Sequence, residues 1–227
     1  AADDNSGSLT YVKICYAGAR STADIEHNGL TLNGVGNGTK IENIYVLESA
    51  DDAIEFFGGT VNVTNLLAVN PDDDMFDFTQ GYCGTLKNCY GVWESDYTST
   101  EADPRGIEAD GNMDGLYPDH LRQSDFKVEN MTIVNNAANT ADNVDRMQDV
   151  IKIRRGAKAT ITNALVKGTG GAIDLVDMKD SKGAGNIESS INITSTLSLT
   201  GLKQNGELNT LSLIHISEPT RLRCISY

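Results

Sequence analysis

The feature that most constrains this chain is a repeat. Residues 51–69 read DDAIEFFGGTVNVTNLLAV and residues 72–92 read DDDMFDFTQGYCGTLKNCYGV. Each copy runs from an acidic pair or triplet into a short apolar strand with a central carboxylate. A Gly turn follows, and then a second apolar strand that carries an Asn. Glu55 and Asp77 are 22 residues apart, and Asn65 and Asn88 are 23 apart. A period in the low twenties marks a solenoid, in which no unit buries its apolar face until a neighbour stacks on it.

The frame extends in both directions. Asn-bearing strands recur as IENIYV at 41–46, VTNLLAV at 63–69, LKNCYGV at 86–92, VENMTIV at 128–134 and ITNALV at 161–166. The strands that precede them are GLTL at 29–32, AIEFF at 53–57, MFDFT at 75–79, GIEAD at 106–110, VIKIR at 150–154 and AIDLV at 172–176. No amphipathic 3.6-residue period runs long enough for a helix, whereas period-two alternation is frequent. The pattern predicts an all-β chain, a parallel β-helix of about 22 residues per coil, with insertions at 93–105, 111–122 and 135–149. Ile54, Phe56, Phe76, Phe78, Ile107, Ile151, Ile153, Ile173 and Leu175 are expected to point inward. Asn43, Asn65, Asn88, Asn130 and Asn163 are expected to form a ladder, because stacked Asn amides bond from strand to strand and Asn tolerates left-handed turns.

The segments NGLTLNGVGNGTKIENIYV, DDAIEFFGGTVN, GIEADGN and IKIRRGAKATITN, within residues 6–176, together resemble a family of bacterial β-helix proteins found especially in Bacteroidetes. The resemblance implies the right-handed, pectate-lyase-like fold and a location outside the cell or on its outer surface. It carries no activity with it. The tail LSLIHISEPTR at 211–221 resembles a translated sequencing-library adapter. Residues 1–210 are therefore expected to be one β-helix domain, truncated at one or both ends, and 211–227 to lie outside the fold. The opening AADDNSGSLTYV holds no leader, so a secretory leader would lie outside this sequence.

A formal net charge of −14 disfavours nucleic acid and anionic membrane as partners and favours cations. No apolar run approaches the ~18 residues of a membrane span. GVGNGT at 34–39 lacks the Lys of a phosphate loop and opens no helix, so no organic cofactor is expected. Cys83 and Cys89 flank a turn, where they either pair in an oxidising compartment or remain free.

In the predicted register Thr31, Glu55, Asp77, Glu108, Lys152 and Asp174 form one outward column. Stacked carboxylates about 4.8 Å apart repel, so a pKa rises or a cation sits among them. Asp51, Asp52, Asp72, Asp73 and Asp74 lie in the preceding turns, and with Glu55 and Asp77 they make a hard oxygen set suited to Ca²⁺. The string DGNMDG offers Asp110, Asn112 and Asp114 as part of a second Ca²⁺ loop, although Leu121 stands where the bidentate Glu of a full loop belongs. Trp93, Tyr97 and Tyr117 are candidates for sugar stacking. These features suit a glycan-binding or structural β-helix protein, stabilised by calcium, with polysaccharide as its partner. The alternative is an enzyme on an acidic polysaccharide. As a glycoside hydrolase it would use Glu55 and Asp77, or Asp77 with Asp74, as its carboxylate pair; as a lyase it would use Lys152, Arg154 or Arg155 as its base. Deleting residues 211–227 is expected to leave the far-ultraviolet circular dichroism spectrum and the melting temperature unchanged; loss of folding would make the tail a genuine element.

Overall fold

The computed structural model describes residues 1–19, 21, 27–113, 116, 119–120, 122–137, 147–179, 189–193 and 198–200. Within these the chain is built of strands: β1 (Ser8–Cys15), β2 (Leu30–Asn33), β3 (Lys40–Leu47), β4 (Ile54–Phe57), β5 (Asn62–Val69), β6 (Phe76–Thr79), β7 (Thr85–Trp93), β8 (Ile107–Ala109), β9 (Asp125–Asn135), β10 (Met147–Ile153), β11 (Lys158–Lys167), β12 (Ala172–Asp177), β13 (Ser190–Ile193) and β14 (Ser198–Thr200). They alternate between two parallel sheets. The long strands order as β1-β3-β5-β7-β9-β11-β13, with β14 also on β11, and the short ones as β2-β4-β6-β8-β10-β12. Every second strand joins the same sheet and all pairings are parallel, which is a parallel β-helix. No helix among the described residues is long and apolar enough to cross a membrane.

The central Asn of each long strand explains how a strand of eight to eleven residues faces one core throughout. Asn43, Asn65, Asn88, Asn130 and Asn163 all take φ between 54° and 60°. Such a left-handed residue resets the alternation, so the buried positions in β3 are Ile41, then Ile44 and Val46, three and two residues apart. The same phase shift recurs at Val63, Leu66 and Ala68 in β5. Asn tolerates this backbone better than most residues because its short polar side chain bonds locally. Here it bonds along the stack: Nδ2 of Asn65 donates to Oδ1 of Asn43 at 2.8 Å, Asn88 to Asn65 at 2.9 Å, Asn130 to Asn88 at 2.8 Å and Asn163 to Asn130 at 2.9 Å. Tyr11 fills the equivalent slot of β1 with φ 56°, and its exposed side chain ends the ladder there.

The core carries a second, aromatic ladder. Phe56 stacks on Phe78 at 5.1 Å between ring centroids, and Phe78 on Phe126 at 4.1 Å. Tyr82 lies against Phe56 at 4.4 Å and donates its hydroxyl to the Val61 carbonyl at 2.7 Å, so its buried polar atom is satisfied. Ile54, Phe76, Ile107, Ile151 and Ile153 are fully buried, as the alternation implies. The Gly58-Gly59 turn after β4 has φ 66° and 85°, and a Cβ on Gly59 would lie 2.4 Å from the Val35 carbonyl oxygen of the coil before.

One expectation is corrected. The last coil is shifted by three residues: Lys152 pairs with Asp177 and Asp149 with Asp174, so Asp174 is not opposite Lys152. AIDLV mimics VIKIR in pattern, but the strand it joins begins earlier, at Met147, and the register follows Met147↔Ala172 and Ile151↔Val176. The segment at 135–149 is thus partly strand at its end. Of the two states left open for Cys83 and Cys89 the structure has the free one: the cysteines at 15, 83 and 89 are all unpaired with one another, Cys83 exposed and Cys89 buried.

The ladder predicts a graded loss. Asn88→Ala removes two amide bonds and leaves Ala in a left-handed conformation, a cost of about 2 kcal/mol. Asn88→Gly keeps the backbone and should cost about half as much. Urea denaturation of the two variants checks the order; equal stability of Asn88→Ala and the unaltered chain would show that the ladder contributes nothing.

Candidate functional site

The outward face of the short sheet carries two columns of side chains. The first runs Thr31, Glu55, Asp77, Glu108, Lys152, Asp177. The second begins with Asn33, Phe57 and Thr79. Beside the first column the turns before β4 and β6 bring in Asp51, Asp52, Asp73 and Asp74. The strip divides into two electrostatic halves.

In the half toward β12, most carboxylates meet a cation; Asp174 has no ion pair among the described residues and lies with Asp149 and Asp177 in a group of carboxylate oxygens within 4.8 Å. Arg105, buried in the 93–105 insertion, pairs with Asp103 at 2.8 Å, with Asp149 at 3.3 Å and with Glu108. Arg154 pairs with Glu108 and reaches both oxygens of Asp110 at 3.1 Å. Arg155 pairs with Asp110 at 3.0 Å, and Lys152 pairs with Asp177. Burial is the largest influence and raises the Asp177 carboxyl, but the hydrogen bonds and charges of Lys152 and Lys179 together outweigh it and hold the group below its ordinary range. Asp149 stays high, pushed up to about 6 by burial although Lys152 and Arg105 oppose.

In the half toward β2, Glu55 accepts a hydrogen bond from Nδ2 of Asn28. Four other carboxylates there, Asp52, Asp73, Asp74 and Asp77, lack a cationic partner among the described residues. Oxygens of Asp52, Glu55 and Asp77 lie within 4.8 Å of one another, as do those of Asp51, Asp52 and Asp73. Asp52 is 5% exposed; its Oδ1 accepts the Asp74 backbone N–H at 2.9 Å. Asp74 is 3% exposed, and one oxygen each of Asp73, Asp74 and Asp77 is sealed from solvent with no donor in reach. Burial, then the charges of Asp73, Asp51 and Glu55, hold Asp52 well above the usual carboxylate range. Asp77 is raised by burial and by Asp52, Glu55, Glu108 and Asp74. Asp73 and Asp74 are also raised, chiefly by burial, with Arg105 opposing. Desolvated like charges left without donors fit either protons or a hard cation.

Several predicted site residues have other work. The Asp72 carboxylate accepts from the Tyr97 hydroxyl at 3.1 Å, from the Thr100 backbone N–H at 2.7 Å and from the Thr100 hydroxyl. It pins the 93–105 insertion to the coil and is not available as a cation ligand. Trp93 is fully buried, donates Nε1–H to the Pro71 carbonyl at 3.0 Å and packs on Tyr97 at 6.0 Å. Trp93 offers no free face to a sugar, so the aromatic platform is absent at that position; Tyr97 is half-buried, with its ring against Trp93 and its hydroxyl on Asp72, and Tyr117 lies outside the described residues. The alternation in β7 carried the signal, since Cys89, Gly91 and Trp93 all face inward after the Asn88 reset. Asp110 is claimed by Arg154 and Arg155, and Asn112 donates to the Arg122 carbonyl at 2.8 Å and lies 3.0 Å from Nδ1 of His120. Asp110 and Asn112 are thus already engaged by other groups of the protein; Asp114 lies outside the described residues. Lys152, Arg154 and Arg155, the candidate bases, are all held by carboxylates. Sequence reasoning missed Arg105, because an insertion's path is not written in its period, and it missed Phe57, which simple alternation from Glu55 puts on the outward face.

Residues 1–221 match the sequence model of the family described as a pectate-lyase like beta helix domain. The chain belongs to that family. It is accordingly a carbohydrate-related β-helix protein, and the acidic strip lies on the short parallel sheet of that fold. No curated protein and no solved structure matches the chain.

The raised carboxyls give a signed prediction. A carboxyl whose folded pKa lies above its unfolded value adds stability that is complete below the unfolded pKa and is lost as pH rises through the folded pKa. Asp52, Asp73, Asp74, Asp77 and Asp149 all have this sign, against Asp177 alone in the other direction. In a chelating buffer the melting temperature at about pH 5 should therefore exceed that at about pH 8. A higher value at pH 8 would mean that the strip is not strained by its own charge.

Proposed function

We propose that this chain is a glycan-binding β-helix protein that works outside the cell, with Asp52, Glu55 and Asp77 holding a calcium ion. The observation that carries the reading is the close approach of these three carboxylates, within 4.8 Å, in the half of the strip where Asp52 and Asp77 form no ion pair. A divalent ion would offset their repulsion and supply the missing partner of the sealed Asp77 oxygen. All-oxygen donors with mixed exposure suit Ca²⁺ better than Mg²⁺, which keeps most of its waters. A site of three carboxylates on a rigid sheet is of the sort that fills at the ~10⁻⁴–10⁻³ M calcium typical of extracellular modules.

The carboxylate pair supports a second reading, glycoside hydrolysis. Two carboxyls about 5 Å apart match the retaining geometry, and a raised pKa is what a general acid needs. Lyase chemistry has less support, because Lys152, Arg154 and Arg155 are held in ion pairs. The two supported readings differ in what calcium does: it completes a binding site in the first and blocks the reacting carboxyls in the second.

The test is thermal unfolding with and without calcium. Millimolar Ca²⁺ should raise the melting temperature at about pH 8, EDTA should reverse the rise, and equimolar Mg²⁺ should do much less. Asp77→Asn should raise the melting temperature of the calcium-free protein, because it removes one repelling charge, and should also shrink the calcium effect. Identical melting in Ca²⁺ and EDTA would remove the ion from the proposal. Hydrolysis of a polysaccharide that calcium inhibits would favour the second reading.

A further inference from the structure

Phe57 stands on the outward face of the short sheet, and the acidic strip does not account for its chemistry. It alternates with Glu55 on β4, so when Ile54 and Phe56 turn into the core, Glu55 and Phe57 turn out. The ring is half-buried, and it takes no part in the aromatic ladder of Phe56, Phe78, Tyr82 and Phe126. In register it lies between exposed Asn33 on β2 and Thr79 on β6. Thr79 is 4% exposed, and its hydroxyl is sealed without a hydrogen-bond partner. Two residues along a strand span about 6.6 Å, and adjacent coils stack about 4.8 Å apart. Phe57 is therefore about one sugar ring's width from Glu55, with Asp77 on the next coil.

We propose that Phe57 is the stacking surface of a glycan subsite, taking the apolar face of a neutral pyranose whose hydroxyls bond to the carboxylates of Glu55 and Asp77 or to the cation they hold. This rests on the glycan-binding reading of the same strip. An aromatic ring presents a flat apolar face, and the axial C–H face of a pyranose is its apolar complement. The carboxylates set the charge of the ligand. A net charge of −14 and crowded carboxylates repel a polyuronate, and three carboxylates around one divalent ion still leave a negative site. Sugar hydroxyls, by contrast, are donors, and hydrogen bonds to charged acceptors are the stronger kind. Asn33 adds an amide donor and acceptor at the exposed edge. The ligand class is thus a neutral, hydroxyl-rich glycan, lying across coils along the short sheet.

Isothermal titration tests this with β-1,4-linked hexaoses of glucose, mannose and xylose, and with hexagalacturonate, each with and without calcium. The unaltered chain should bind at least one neutral hexaose more tightly than hexagalacturonate. Phe57→Leu, which keeps the apolar volume, should weaken that binding about tenfold, a loss near 1.4 kcal/mol. Phe57→Trp should restore or improve it, and neither variant should change the calcium-induced rise in melting temperature. Unchanged binding in Phe57→Leu overturns the proposal, as does preference for hexagalacturonate or binding to none of the four. The cation is judged separately: if calcium leaves the melting temperature unchanged but Phe57 still governs neutral-glycan binding, the ion fails and the stacking subsite stands.

Discussion

The spacing of stacked coils governs everything else in this structure. Equivalent residues in a parallel β-helix lie one strand apart, so each outward side chain meets its own counterpart above and below. A residue type that can bond to itself gains from this. Asn does, with one donor and one acceptor in each amide, and the chain from Asn43 to Asn163 uses both along five coils. A residue type that repels itself loses. Glu55, Asp77 and Glu108 occupy successive coils of one column, where the same spacing that favours amides forces three carboxylates together.

The fold resolves that repulsion at one end only. Glu108 sits between Arg105, delivered by the 93–105 insertion, and Arg154, delivered from the next coil. Arg105 serves Asp103, Glu108 and Asp149 at once and is held firmly protonated by Asp74, Glu108 and Asp103 against its own burial. A buried network of this kind is weak evidence of net stability, because desolvating its members costs much of what their attraction returns. Its clearer effect is on register: Lys152 finding Asp177 goes with the three-residue shift of β12.

What the sequence made legible follows from locality. The repeat, the Asn ladder and the inward positions of β4, β6, β8 and β10 depend on residue type at fixed offsets, and all are visible in the period. The register of β12 was not, because AIDLV and VIKIR share a pattern that two alignments satisfy equally well. Arg105 was not, because it arrives on an insertion. Trp93 was legible and misread, and Phe57 was legible and missed: the rule that left Glu55 outward also turns Phe57 outward, and the reset at Asn88 turns Trp93 inward. Asp72 looked like its neighbours Asp73 and Asp74 in sequence, and only the path of Tyr97 and Thr100 separates it from them.

The contrast between the two halves bears on why the acidic cluster persists. A solenoid can neutralise a carboxylate column whenever a turn is long enough to carry a cation back over the sheet, and the insertion bearing Arg105 does this for Glu108. The turn between β5 and β6 is short, and its acids face the coil before: Asp74 donates its backbone N–H to Asp52, whose other neighbours are Asp51, Asp73 and Glu55. Replacing any of Asp52, Asp73 or Asp77 by Asn would preserve the shape and remove a charge. Their joint presence is thus not required by the backbone, which tolerates Thr31 in the same column one coil earlier. A feature that the fold could shed, that is expected to cost stability at neutral pH and that lies beside an outward aromatic ring supports the binding role proposed for it.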